Sequence, residues 1–152
     1  MSRPNWNDTF MKIAEDVAEH STCAKIKVGA VLVKNKKVIS IGYNGVGPGL
    51  KHCCDIFTPE RIAELGQEEF LRQHAEFSIA NELHAEKNAI LYLIKEGGSN
   101  TKGEAMYCTW SPCAICAKVI FAAGITDVYY RTKYDDKGVD ALRNFGVQVS
   151  QV

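Results

Sequence analysis

The chain of 152 residues contains no apolar run long enough to cross a bilayer. Stretches such as Val28–Val33 fall far short of the roughly 20 residues that a membrane helix needs. It also lacks an excess of charge of either sign: 18 lysines and arginines balance 18 aspartates and glutamates. That balance weighs against a long polyanionic partner, which selects a basic face, but leaves room for a small phosphorylated ligand needing a few local cations. Met1-Ser2-Arg3-Pro4-Asn5-Trp6 has no apolar core of a secretion signal, so the expectation is a cytoplasmic protein. Without an export signal, the six cysteines read as thiols for metal binding or packing and not as disulfides. No internal repeat, low-complexity tract or linker interrupts the sequence, and the expectation is one domain over residues 1–152.

What is present is ordinary globular composition, 46% hydrophobic and 24% charged, able to bury a core at this length. Trp6, Phe10, Ile13, Ala14 and Val17 recur at helical spacing, with Asn5 or Asn7 available to cap, which predicts a helix over 6–20. Residues 28–33 and 37–43 read as a β-hairpin turning at Asn35 and Lys36. Residues 44–58, with Gly45, Gly47, Pro48 and Gly49, read as loop. Thr58-Pro59-Glu60 opens a polar helix to about residue 73. A core helix from His84 is stopped by Gly97-Gly98. Strands at 104–108, 125–131 and 147–149 then alternate with helices at 113–123 and 138–145, which implies parallel pairing by right-handed crossovers. The expected fold is α/β: a mixed five-stranded sheet with helices on both faces, in three layers.

Two short motifs carry chemistry. His84-Ala85-Glu86 and Pro112-Cys113-Ala114-Ile115-Cys116 together offer one imidazole, two thiols and a carboxylate. This H-x-E…P-C-x-x-C arrangement resembles that of the zinc-dependent base deaminases. Cys113 and Cys116 share the first turn of a helix, where the positive end of the dipole favours the thiolates that zinc requires. Three protein ligands, His84, Cys113 and Cys116, leave a fourth position for water, whose pKa the metal lowers towards about 7. Glu86 is close to the metal but directed elsewhere on its helix, and is the expected proton shuttle between water, ring nitrogen and departing amine. Both helix starts are expected at strand ends on one edge of the sheet. A lone C-x-x-C is often a structural half-site or a redox pair, and His-x-Glu also arises by chance. A redox reading leaves His84 and Glu86 unexplained.

Ser21-Thr22-Cys23, Val28-Gly29-Ala30-Val31, Gly42-Tyr43-Asn44-Gly45, the two zinc motifs, Gly124-Ile125 and Tyr134-Asp135 occur in an order similar to that of the deoxycytidylate deaminases. The resemblance runs from about Trp6 to Val149. The zinc motif is shared with cytidine, cytosine, guanine and tRNA adenosine deaminases, whereas Gly-Tyr-Asn-Gly singles out the deoxycytidylate group. Lys87 departs from the family pattern, in which leucine often follows His-Ala-Glu. The resemblance implies a cytidine-deaminase-like fold and hydrolysis of dCMP to dUMP and ammonia, feeding thymidylate synthesis. It also implies a homohexamer, activated by dCTP and inhibited by dTTP at a magnesium-dependent regulatory site expected near Gly42, Tyr43, Asn44 and Gly45.

Within that family reading, Asn44 is a candidate for the sugar or phosphate, although Asn-Gly also suits a tight turn. Ser21 and Lys25 are candidates for the 5′-phosphate, Tyr134 for a face of the pyrimidine, and the Ala85 backbone N–H for the base carbonyl. Ser21 and Lys25 alone are more often solvated loop residues, and an exposed tyrosine at a strand end is equally ordinary. Some phage-type members carry a second, structural zinc. By resemblance its ligands here are Cys23, Cys53, His74 and Glu82, with Cys54 or His52 as substitutes, and it would pin the long excursion over 44–83. Buried free thiols beside a surface histidine are the competing reading. Cys108 falls in a strand and reads as a core thiol.

Overall fold

Asn35 and Lys36 both take positive φ, 50° and 59°, in the tight turn that joins β1 (Gly29–Lys34) to β2 (Lys37–Tyr43). Left-handed backbone at both central positions matches the twist of the flanking strands. The computed structural model describes residues 1–98 and 104–152. From this hairpin grows a five-stranded sheet in the order β2-β1-β5-β6-β7, with β5 (Ala105–Trp110), β6 (Asp127–Thr132) and β7 (Gln148–Gln151). β1 pairs antiparallel with both β2 and β5, while β5, β6 and β7 run parallel. The mixed sheet expected from the sequence is therefore present.

Alternation along β1 and β5 divides the core. Ala30, Leu32, Met106 and Cys108 face α5 (Ala85–Lys95), α6 (Ala114–Ala122) and α7 (Asp136–Asn144), together with Ala89, Ile120 and Leu142. Val31, Val33 and Tyr107 face α1 (Trp6–Ala18), against Phe10, Met11, Ala14 and Val17. The period of two in each strand is what sends neighbouring side chains to opposite layers. Asn5 caps α1, its side chain accepting from the Asn7 backbone N–H. Cys108 is fully buried in the larger core, as a packing thiol.

The segment 44–83 differs from its expected form. The loop expected over 44–58 contains α2 (Cys53–Ile56) and β3 (Gly45–Val46), which pairs with β4 (Glu82–Leu83) in a small ribbon, and the single helix expected to about 73 is two, α3 (Pro59–Leu65) and α4 (Gln67–Asn81). Thr58 caps α3 as its sequence indicates, accepting from Arg61 N–H. Gly66, at φ +77°, ends that helix, and a second begins at once and runs eight residues beyond the expected end at 73. Arg72 bonded to Glu69 and Glu76 stabilises this extension on its solvent face, where polar composition hides the continuation. Cys53, Phe57 and Phe70 form a separate buried cluster with Cys23 under these helices. No helix among the described residues is long and apolar enough to cross a membrane.

Candidate active site

His84 and Cys113 each occupy the N-cap of a helix, α5 and α6 respectively, both with extended backbone, and Cys113 Sγ accepts from the Cys116 N–H across the helix start. α6 follows the C-terminal end of β5, the central strand of the main sheet. α5 follows β4 of the small ribbon, so the expectation that both helix starts follow strands of one sheet holds only for the cysteines. The ends nevertheless converge: His84 Nδ1 lies 3.5 Å from Cys113 Sγ and 3.3 Å from Cys116 Sγ. A tetrahedral ion with Zn–S of about 2.3 Å and Zn–N of about 2.0 Å separates its nitrogen and sulfur ligands by roughly 3.5 Å. The three donors fit zinc.

The electrostatics agree with that donor set. The Cys116 S–H beside it holds the Cys113 thiol down to about 3, despite partial burial. Cys116 is correspondingly pushed up, by the Cys113 thiolate first and by burial second. This pair thus retains one proton that a cation displaces. The Cys113 thiolate also raises the His84 imidazole against the effect of burial. Glu86 is 4% exposed, lies outside the donor cluster, and has its carboxyl raised chiefly by desolvation.

A cavity of about 140 Å³ opens on this cluster. It is lined by His84, Ala85, Glu86 and Cys113, and by the sequence candidates Lys25, Asn44 and Tyr134. Ser21 is not in its lining: its buried Oγ donates to the Asn44 carbonyl at 2.9 Å and accepts from Cys23 N–H. Asn44 is largely committed to the scaffold, its Oδ1 accepting from Val28 N–H and its Nδ2 donating to the Ile26 carbonyl, both at 2.8 Å. Gly42 and Tyr43 end β2, Asn44 turns the chain, and Gly45 opens β3. Trp110, Val28 and Ser78 also line the cavity and were not anticipated. Trp110 carries a usable signal, an aromatic residue two positions before Pro112 at the end of a strand.

Cys23, Cys53, His74 and Glu82 also come together, with their donor atoms within 4.8 Å of one another. Cys23 Sγ is 3.3 Å from His74 Nε2, and Glu82 Oε1 is 3.5 Å from the same nitrogen. The Cys53 thiol holds Cys23 down to about 4, and Cys53 is raised in turn. Glu82 Oε2 is buried without a hydrogen-bond partner among the described residues, a polar atom that a metal ion would satisfy. These donors fit a closed, structural zinc site. The suggested substitutes fall outside it: Cys54 is exposed, and His52 Nδ1 pairs with Thr22. Cys53 stands not in a loop but at the first position of α2.

Residues 4–132 match the family described as cytidine and deoxycytidylate deaminase zinc-binding region. The deoxycytidylate deaminase of Enterobacteria phage T4 is 37% identical over 95% of this chain and 88% of its own length. That of Mycobacterium phage D29 is 39% identical over 86% of this chain and 97% of its own. The crystal structure of a dCMP deaminase from the cyanophage S-TIM5, in complex with dCMP and dUMP, superposes with a TM-score of 0.77 at 32% identity, covering the whole of both chains. The chain is a member of the cytidine and deoxycytidylate deaminase family.

Proposed function

We propose that this protein hydrolyses dCMP to dUMP and ammonia. The observation that carries the reading is the convergence of His84 with Cys113 and Cys116 beside a buried Glu86 that stays out of the donor set. The phage relatives named as deoxycytidylate deaminases, and the cyanophage enzyme in complex with dCMP and dUMP, support that substrate.

His84, Cys113 and Cys116 hold zinc, which supplies the Lewis acidity that makes water nucleophilic at neutral pH. Glu86 takes a proton from the attacking water on its carboxylate and returns it to the ring nitrogen; it then takes the second proton, from the hydroxyl added to the ring carbon, and passes it to the amino group, which leaves as ammonia. Burial raises the Glu86 carboxyl, bringing it closer to the pH at which one group both accepts and donates. The Ala85 N–H, in the first turn of α5 where helix donors have no partner within the helix, meets the base carbonyl. Tyr134, 56% exposed at the rim, covers the pyrimidine. Exposed Lys25 and the remaining capacity of Asn44 meet the phosphate and sugar, while Ser21 braces Asn44 from behind. A second zinc at Cys23, Cys53, His74 and Glu82 fixes the 44–83 segment.

The resemblance at Gly42-Tyr43-Asn44-Gly45 supports regulation by dCTP as activator and dTTP as inhibitor, with magnesium. Exposed Leu91, Tyr92 and Ile94 on α5, with Ile115 and Phe121 on α6, support assembly, for which we propose the homohexamer. Ammonia release from dCMP, dCTP, deoxycytidine, free cytosine and adenosine-bearing RNA tests the substrate. Turnover of dCMP above the others is expected. Activity on RNA or the free base alone gives the site a different substrate, and no activity on any makes the chain a zinc-binding module.

A further inference from the structure

We infer that Gly42 and Gly138 are positioning residues of the metal centre, each a point where a neighbouring backbone rests directly on a metal-bearing helix start. The inference rests on the zinc reading of His84, Cys113 and Cys116. A Cβ at Gly138, in α7, stands 1.7 Å from the Pro112 carbonyl oxygen and 2.9 Å from the carbonyl carbon of Cys113. At Gly42 it stands 2.3 Å from the carbonyl oxygen of Ala85, the residue between His84 and Glu86, and 2.4 Å from Ala89 N. All these neighbours are backbone, so no change of rotamer relieves the overlap. Neither glycine has positive φ, so close approach and not left-handed geometry requires the missing side chain.

Local hydrogen bonds clamp each contact. Ser40 Oγ donates to the Ala89 carbonyl at 2.6 Å, and Asn88 Nδ2 donates to the Tyr43 carbonyl at 2.8 Å, tying α5 to β2 on either side of Gly42. Around Gly138, Asp135 Oδ1 accepts from the Lys137 and Gly138 N–H groups, and the Tyr134 N–H donates to Ser111 Oγ at 2.7 Å. Gly42 therefore fixes the helix carrying His84 and Glu86, and Gly138 fixes the turn carrying Cys113. The distance between imidazole and sulfur is the joint result.

Gly29 supplies the control. Its Cβ would stand 2.0 Å from the Ala14 carbonyl oxygen, an overlap as severe, but against α1 on the opposite face of the sheet. The full chain and its G42A, G138A and G29A variants are loaded with cobalt in place of zinc, and their absorption spectra, melting temperatures and dCMP kinetics are measured. The second cysteine cluster is common to all four proteins and cancels in the comparison. Restoring contact distance at Gly42 or Gly138 moves backbone by on the order of 1 Å, a misplacement worth about 10²-fold in rate. G42A and G138A are expected to lose that factor mainly in kcat, with altered cobalt–thiolate bands. G29A is expected to melt earlier with wild-type bands and kcat. Folded G42A or G138A with wild-type spectrum and kcat overturns the inference, as does a G29A variant that changes both equally. Should G138A not fold, the pair G42A and G29A decides it. Wild type without dCMP turnover, but with spectra responding as expected, supports the positioning roles while defeating the proposed substrate.

Discussion

His84 Nδ1 and Cys116 Sγ lie 3.3 Å apart although 32 residues separate them in the chain. What closes that distance is the convergence of two helix starts, one leaving the main sheet and one leaving the small ribbon. The partial positive charge at both starts favours thiolate over thiol before any cation arrives.

Replacing Glu86 by glutamine keeps the shape of the side chain and removes its ability to accept a proton. The expected result is a fall in kcat of roughly 10²–10⁴, with zinc content unchanged by metal analysis. Unchanged turnover removes Glu86 from the proton path, and loss of zinc makes it a ligand.

The second donor cluster predicts two zinc ions per chain. Converting Cys53 to serine, or His74 to alanine, should release one of them and lower the melting temperature, while the metal at His84 is retained. One zinc per wild-type chain, by elemental analysis, contradicts the second site and returns Cys23 and Cys53 to the role of buried thiols.

Lys25 distinguishes phosphate recognition from base recognition. Lys25→Gln should raise KM for dCMP about tenfold, the worth of a hydrogen bond to a charged group, and leave the slower reaction of deoxycytidine untouched. An equal effect on both substrates moves Lys25 away from the phosphate.

Glu104 carries a pH prediction away from the metal. Its carboxyl is 1% exposed, neither oxygen has a hydrogen-bond partner among the described residues, and Lys34 stands 3.6 Å off. Burial raises its pKa more than Lys34 lowers it. A carboxyl whose folded pKa exceeds its unfolded value binds protons more readily in the fold, so its ionisation costs stability at neutral pH and that cost fades on acidification. Glu104→Gln should therefore raise the melting temperature at pH 8, with the gain shrinking towards pH 4. A gain independent of pH, or a loss at pH 8, contradicts this.

The hairpin, the parallel half of the sheet and the H-x-E…P-C-x-x-C cluster were legible in the sequence because period-two alternation, glycine stops and ligand spacing are local signals. The ribbon of Gly45 with Leu83 was not, since two residues pair across nearly forty and no periodicity marks them. Nor was the length of α4, whose solvated face of Arg72, Glu69 and Glu76 presents no apolar stripe. Asn44 and Ser21 show the same limit for the site. Their residue types suit a ligand, and only the fold reveals that their polar groups are already engaged with Ile26, Val28 and Cys23. Gly42 and Gly138 were invisible as contact points, because a missing side chain leaves no pattern.

Anomalous scattering at the zinc edge from crystals of the purified protein would locate the catalytic metal. A peak is expected within bonding distance of His84 Nδ1, Cys113 Sγ and Cys116 Sγ, with the Glu86 carboxylate outside the coordination sphere. Glu86 as a fourth protein ligand, or no peak between those three side chains, contradicts the proposed mechanism.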